Sequence, residues 1–351
     1  MDANTQIFGI KEVAIKANVS MATVDRVIHN RTGVAKKTRE KILEILKEVN
    51  YQPNIYARRL ATLKPMRFAS LIPRVSDETS FWAAPLNGIQ EAEQTIAKYG
   101  IKLDKFFFDL SDTQSFVLSA DRILKGNYNG VLLAPSFIQE SVTFVKACDS
   151  LNIPYVFINS DIPDNQSLSY IGPDLFQSGY LAAHLISFLV RPGDDILILN
   201  ISREMSNHHH LLRKEDGFRA YLKDNKKTNN IIKRDMTKTD YPSIRKMLSG
   251  VLKENIRVVF VTNSRVSFVA RYFKEAGIEN VMLIGYDLLE QNIKYLEMDI
   301  IHFLICQKPQ EGAYKGIMQL YQTLVNFAQP EKIQFMPIDI ITRENYKFYK
   351  N

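Results

Sequence analysis

Two residue types are close to missing from this chain of 351 residues: there are two cysteines and one tryptophan. Cys148 and Cys306 lie far apart and make no metal spacing, which excludes a disulfide framework or a cysteine-built zinc module. Two reduced thiols in a cytoplasmic protein is the expectation. Long hydrophobic runs are lacking too. The longest, around Tyr180 to Val190, is interrupted by His184 and falls short of the roughly 20 residues a membrane helix needs. The opening, MDANTQIFGIKEV, has no basic stretch leading into an apolar one, so no secretory leader and no membrane partner are expected. The glycines are scattered and build no phosphate-cradling loop. No Gly-x-Ser-x-Gly elbow or metalloprotease helix motif occurs, and the paired carboxylates form no pattern suited to hydrolysis. No catalytic role and no cofactor are expected. His208, His209 and His210 invite a metal reading, but three consecutive side chains cannot all face one ion from a helix. A loop at the solvent or at a cleft edge, close to Arg213 and Lys214, is the plainer expectation.

What is present is unevenly spread. The length calls for two or three domains. The net charge is +7, and residues 1–64 hold twelve Lys/Arg against six Asp/Glu, whereas the rest holds 33 against 32. A small basic module joined to a neutral body points to a polyanion partner for the module, the alternative being a solvated basic face.

The pattern of the module favours the partner. Ile10, Val13, Ala14 and Ala17 recur at helical spacing. Asn18 tolerates the left-handed turn that follows, and Ser20 stands where an N-cap belongs, before Met21, Ala22, Thr23 and Val24. Val24, Val27 and Ile28 give the second helix an apolar face; Ile42, Ile45, Leu46 and Val49 do so for a third helix over 36–49. Three short helices with a tight turn between the first two describe a helix-turn-helix, whose second helix offers its first residues to base edges. Those residues are Ser20, Met21, Ala22, Thr23, Asp25 and Arg26.

GIKEVAIKANVSMATVDRVIHN, then VAKKTREKI, then NYQPNIYARRLA, resembles the DNA-binding head of the LacI (lactose-repressor) family from Gly9 to Lys64. The resemblance implies base-reading roles at Met21, Ala22 and Arg26. It also implies a hinge helix over 54–60 that folds on the operator, with Asn54, Ala57, Arg58 and Leu60 at the DNA and Leu60 wedged into the minor groove. His29 stands where asparagine is common, and Asp25 replaces a serine or similar residue. Asp25 orients Arg26 or a nearby lysine, accepts from a cytosine amino group, or faces solvent; the first reading is preferred, because repulsion from phosphate has to be offset by a local partner. Domains are expected at 1–52 for the head, 53–65 for the hinge helix and linker, and 66–351 for a ligand-binding and dimerisation body.

From Met66 on, strand-like runs alternate with amphipathic helices: RFASLIP before 85–99, KLDKFFFD before 113–125, GVLLAP before 139–151, then PYVFINS, ILILNIS, RVVFVTNS and VMLIGYD. Such alternation means parallel sheets with helical crossovers, in two α/β lobes with a cleft between them. The carboxyl ends of the strands line such a cleft. They carry Phe81, Trp82, Asn159, Asp161, Asn263, Asp287 and Gln307. Aromatic rings with amides and carboxylates suit a polyhydroxyl ligand. The plainer alternatives are a core or interface role for Trp82 and a turn role for Asp161.

The body resembles the type I periplasmic sugar-binding fold that the same family carries as its sensor. SFWAAPLNGIQEAE, IPYVFINSDIP, YIGPDLFQSGYLAAHLI, RKEDGF, VTNSRVS, LIGYD and CQKPQEGAYKG follow the family order. Lys214 occupies the position of an arginine anchor, with Arg213 one residue early. The resemblance implies lobes discontinuous in sequence, one from 66–168 and 306–328 and the other from the rest. It implies a homodimeric regulator that binds a pseudo-palindromic operator on double-stranded DNA and is controlled by a carbohydrate. Alternatives are a phosphorylated metabolite or a protein partner as effector, a sugar-binding protein without a regulatory role, and an enzyme that happens to bind DNA.

Overall fold

The computed structural model describes residues 10–28, 32–48, 66–76, 80–162, 164–203, 209–252 and 255–350. The chain divides into two compact units, Met1–Lys64 and Pro65–Asn351. In the first, helices α1 (Ile10–Ala17), α2 (Met21–Ile28) and α3 (Lys36–Glu48) close on one small core. Val13, Ala14, Ala17, Val24, Val27, Ile42 and Ile45 are buried there, with Val19, Val34 and Leu46 packed against them. Asn18 takes the left-handed conformation (φ 55°) that the turn between α1 and α2 requires. Ser20 caps α2 as expected, its Oγ accepting the Thr23 N–H at 3.2 Å. From α3, the Lys41 ammonium donates to the Ala17 carbonyl at 3.0 Å and satisfies one orphan acceptor at the end of α1.

The second unit holds two six-stranded sheets. The first contains β1 (Arg67–Pro73), β2 (Lys102–Phe108), β3 (Gly130–Leu133), β4 (Tyr155–Ile158), β5 (Ser169–Gly172) and β11 (Ile333–Phe335), in the order β11-β5-β4-β3-β1-β2, all parallel. The second contains β6 (Asp195–Ile201), β7 (Asn230–Met236), β8 (Ile256–Val261), β9 (Met282–Tyr286), β10 (Phe303–Cys306) and β12 (Asp339–Ile341). Its order is β12-β10-β9-β8-β6-β7, with β12 antiparallel at the edge. The two orders superimpose term by term, so β4 and β9 are equivalent strands of a repeated lobe. The inner strands β1, β6 and β8 are nearly continuous apolar runs because helices cover both faces.

Helices α4 (Ala83–Ala97), α5 (Thr113–Lys125) and α6 (Ile138–Ser150) follow β1, β2 and β3 in the first lobe. Helix α12 (Pro309–Leu324) returns to pack on α4 and on β3, β4 and β5. The second lobe carries α7 (Leu175–Ser187), α8 (His209–Asp224), α9 (Tyr241–Val251), α10 (Val266–Ala276) and α11 (Glu290–Glu297). The lobes are discontinuous as expected, but their bounds differ from the expectation. The first sheet keeps β5 through its pairing with β4 (Ile158 opposite Ile171) and gains β11 through Ile333 opposite Tyr170. The chain leaves the first lobe only at Pro173, after which Asp174 caps α7. SYIG is a four-residue strand too short to declare itself against the crossover that follows it.

Candidate functional site

In the first unit, Val24 and Val27 turn one face of α2 to the core. Met21 (56% exposed), Ala22 and Arg26 therefore stand on its open side, and half-buried Thr23 places its hydroxyl 2.9 Å from that of Ser20. Asp25 lies in the middle of α2. His29, Asn54, Ala57, Arg58 and Leu60 lie outside the described residues.

In the second unit, strand ends from both lobes open onto one cleft of about 450 Å³. Phe81, Trp82, Asn159, Lys214, Asn263, Asp287 and Gln307 all line it. Phe81 and Trp82 come from the short 3-10 turn ahead of α4, set edge to face with ring centroids 5.2 Å apart; Trp82 is 5% exposed. Asn159 and Asp287 occupy the equivalent position in each lobe, directly after β4 and β9. Both adopt φ 68°, unusual for a side-chain-bearing residue, and each donates its N–H to the neighbouring strand, to the Ile171 and Ile305 carbonyls. The Asn292 amide fixes the turn of Asp287 by donating to the Tyr286, Asp287 and Ser264 carbonyls at 2.9–3.1 Å.

Lys214 settles the register left open by the sequence. It is 4% exposed, donates to the Thr262 carbonyl at 3.2 Å and holds its ammonium 3.5 Å from the centre of the Tyr286 ring. The Tyr286 hydroxyl meets Ser178 Oγ at 2.9 Å, and Gln307 Nε2 donates to the same Oγ at 3.2 Å. Two cleft side chains, Lys214 and Gln307, are thus braced through one buried network. Burial pushes Lys214 below the ordinary lysine range, against the support of the Asp287 charge, and pushes Asp287 above the ordinary carboxylate range, against the support of Lys214. A buried ammonium and a buried carboxylate facing one cleft gain most from a ligand that brings hydroxyl groups, which accept from one and donate to the other.

Two expected residues fall outside the lining. Arg213 precedes Lys214 on α8, and successive helical side chains diverge by about 100°, so burying Lys214 turns Arg213 to solvent. Asp161 is half-buried past Ser160, on the far side of the turn; both it and Arg213 act electrostatically on Tyr170. Other lining residues were missed. Asp109 follows β2 and Arg203 follows β6, so the same strand-end signal was available for both. Ser111 holds Asp109 below the usual carboxylate range by donating its hydroxyl (2.6 Å) and its N–H (2.7 Å), with Arg203 and Arg74 adding to the effect. Arg265, from VTNSRVS, completes the set. Among the described residues no group of three or more His, Cys, Asp or Glu is placed to hold a metal ion; His208 lies outside them. No helix among them is long and apolar enough to cross a membrane.

Comparison with known proteins agrees with both halves. Residues 9–54 match the model of the bacterial regulatory proteins of the lacI family, and residues 68–326 match a periplasmic binding protein domain. The chain is 26% identical over 357 residues to the HTH-type transcriptional regulator RegA of Clostridium acetobutylicum, covering 96% of this chain and 99% of that one. It is 31% identical over 159 residues to the ribose operon repressor of Halalkalibacterium halodurans, covering 44% of each. A solved structure from Bacteroides fragilis, assigned to the LacI transcriptional regulators, superimposes with a TM-score of 0.75 at 28% identity, over 82% of this chain and all of that one. With a capped helix-turn-helix ahead of two parallel-sheet lobes around a polar cleft, the chain belongs to the lacI family of bacterial regulatory proteins: it is a DNA-binding transcriptional regulator with a periplasmic-binding-protein-like sensor.

Proposed function

We propose that the chain works in the cytoplasm as a homodimeric repressor whose hold on a pseudo-palindromic operator is set by a sugar or sugar derivative bound between the lobes. The observation that carries this reading is the convergence of an aromatic pair, three amides, a buried carboxylate and a buried ammonium on one cleft. Rings stack on the apolar face of a sugar while amides and charges bind its hydroxyls. A relative named for the ribose operon is in keeping with it. Two heads on a two-fold axis would take two half-sites, with Ser20, Met21, Ala22, Thr23 and Arg26 at the base edges, Asp25 orienting Arg26, and His29, Asn54, Ala57, Arg58 and Leu60 completing the contact. Effector binding closes the lobes and shifts the chain between a state that holds the operator and one that releases it. Operator affinity then changes by the difference in effector affinity between those states. Lys214, Arg203 and Arg265, all on the second lobe, favour sugar acids or sugar phosphates as a second reading.

The test is to select bound DNA from a random library and measure its affinity with neutral sugars, uronic acids and sugar phosphates. A palindromic consensus whose affinity moves at least tenfold with one compound is expected. A consensus with no two-fold symmetry, indifferent to every compound, would sink the proposal.

A further inference from the structure

Three chain segments pass between the lobes, at 173–174, 307–308 and 336–338. Any rotation of one lobe against the other has to be absorbed in their backbone torsions. The middle crossover carries a constraint of its own. Lys308 is the N-cap of α12 and stands in the left-handed region (φ 49°, ψ 56°), although it is not a glycine. Its backbone N–H donates to the Tyr349 hydroxyl at 3.0 Å. Its ammonium donates to the Lys350 carbonyl at 3.2 Å, lies 4.0 Å from Asp339 Oδ2 and sits 5.4 Å from the centre of the Tyr349 ring.

All of these partners come from the C-terminal segment beyond the third crossover, and that segment is fastened to the second lobe. β12 pairs with β10, Arg343 reaches Asp299 at 3.2 Å, the Tyr346 hydroxyl bonds Glu297, and Tyr346 and Tyr349 pack on the second lobe's core. Helix α12, which Lys308 begins, belongs to the first lobe. The second lobe thus grips, through its C-terminal segment, the residue at which a first-lobe helix starts. The preceding residue, Gln307, lines the cleft. Cleft contacts and tail contacts act on adjacent residues of one crossover.

We infer that segment 342–350 is a latch on the lobe hinge: by holding Lys308 in its left-handed turn, Tyr349 and Lys350 set the resting angle between the lobes. The latch is a property of the ligand-free chain, goes beyond the function proposed above, and can be tested without knowing the effector. Cys148 and Cys306 are buried, so spin labels go to introduced cysteines at two exposed positions near the cleft, Gln139→Cys on the first lobe and Lys238→Cys on the second. Electron–electron distance distributions are then compared for the full chain and for Tyr349→Phe, which keeps the ring and removes the hydroxyl. The distribution is expected to broaden or shift, and hydrogen exchange over 303–312 to speed up about tenfold. Lys308→Gly, which keeps the left-handed turn accessible while deleting the ammonium contacts, is expected to broaden it as well. Phe348→Ser, on the same segment but at an exposed side chain that takes no part in fastening it, is expected to leave it unchanged. Superimposable distributions for Tyr349→Phe and Lys308→Gly overturn the latch. Equal broadening in Phe348→Ser also overturns it, because general loosening of the tail would then explain the effect.

Discussion

Gly179→Ala probes how packing sets the cleft. Gly179 lies in α7, and a Cβ built there would meet the Lys214 carbonyl oxygen of α8 at 1.8 Å, its carbonyl carbon at 2.6 Å and its Cα at 2.8 Å. All three are backbone atoms and cannot swing away. Contacts below 3.0 Å essentially do not occur, so α7 and α8 must part by 3.0 − 1.8 = 1.2 Å at this point. Alanine gains roughly 1 kcal/mol of helix propensity over glycine. Overpacking costs about 1–3 kcal/mol, and a backbone clash belongs at or above the top of that range. The clash wins by about 2 kcal/mol, which lowers the melting temperature by roughly 4–8 °C at about 2–4 °C per kcal/mol. The displaced carbonyl is that of Lys214, whose ammonium is placed by a single Thr262 bond and the Tyr286 ring. Effector affinity is therefore expected to fall about tenfold, a loss of roughly 1.4 kcal/mol. Calorimetry reads the first effect and titration of Trp82 emission the second. A melting temperature within about 1 °C of the parent chain would refute the close-packing argument.

Other substitutions separate the parts of the mechanism. Asp287→Asn removes the charge that supports Lys214 in the cleft and is expected to abolish the effector response while leaving ligand-free operator affinity within about twofold, as a gel-shift titration would read. Arg26→Ala, on the open side of α2, is expected to cost about 1–3 kcal/mol of specific operator binding with little change in melting temperature. Leu60→Ser is expected to weaken the operator complex and to reduce DNA bending in a fluorescence assay. His302 is half-buried, its Nδ1 accepting the Leu283 N–H at 3.2 Å; desolvation holds its pKa below the ordinary histidine value. A depressed folded pKa means that stability is fully present above the unfolded value and is lost as pH falls toward the folded one. The margin in melting temperature over His302→Asn should therefore shrink between pH 7.5 and 5, whereas a constant margin would show that the titration does not matter.

Periodicity made most of the fold legible. The helices of the head, the turn at Asn18, the Ser20 cap and the alternation of β and α in the body follow from local chemistry and the 3.6-residue repeat. The cleft was legible where a chemistry-bearing residue follows an apolar strand within two residues, as at Asn159, Asn263, Asp287 and Gln307. Long-range pairing was not legible. β5 and β11 belong to the first sheet only because Ile171 and Ile333 find partners across it, which no local pattern announces. Nor could spacing decide between Arg213 and Lys214. That choice is made by Gly179 and Gly217, which bring α7 and α8 into backbone contact and turn Lys214 inward. Asp109 and Arg203 obeyed the strand-end rule but stand beyond the aromatic and amide set that drew attention first.

The most direct measurement uses the only tryptophan in the chain, which lies in the cleft lining. Trp82 emission would be followed while the purified protein is titrated with mono- and disaccharides, uronic acids and sugar phosphates, in the parent chain and in Asp287→Asn. If the cleft is the sensor, one compound gives a saturable change that Asp287→Asn loses, and the same compound shifts operator affinity. A flat response across the panel, or a saturable change that Asp287→Asn leaves intact, would contradict it.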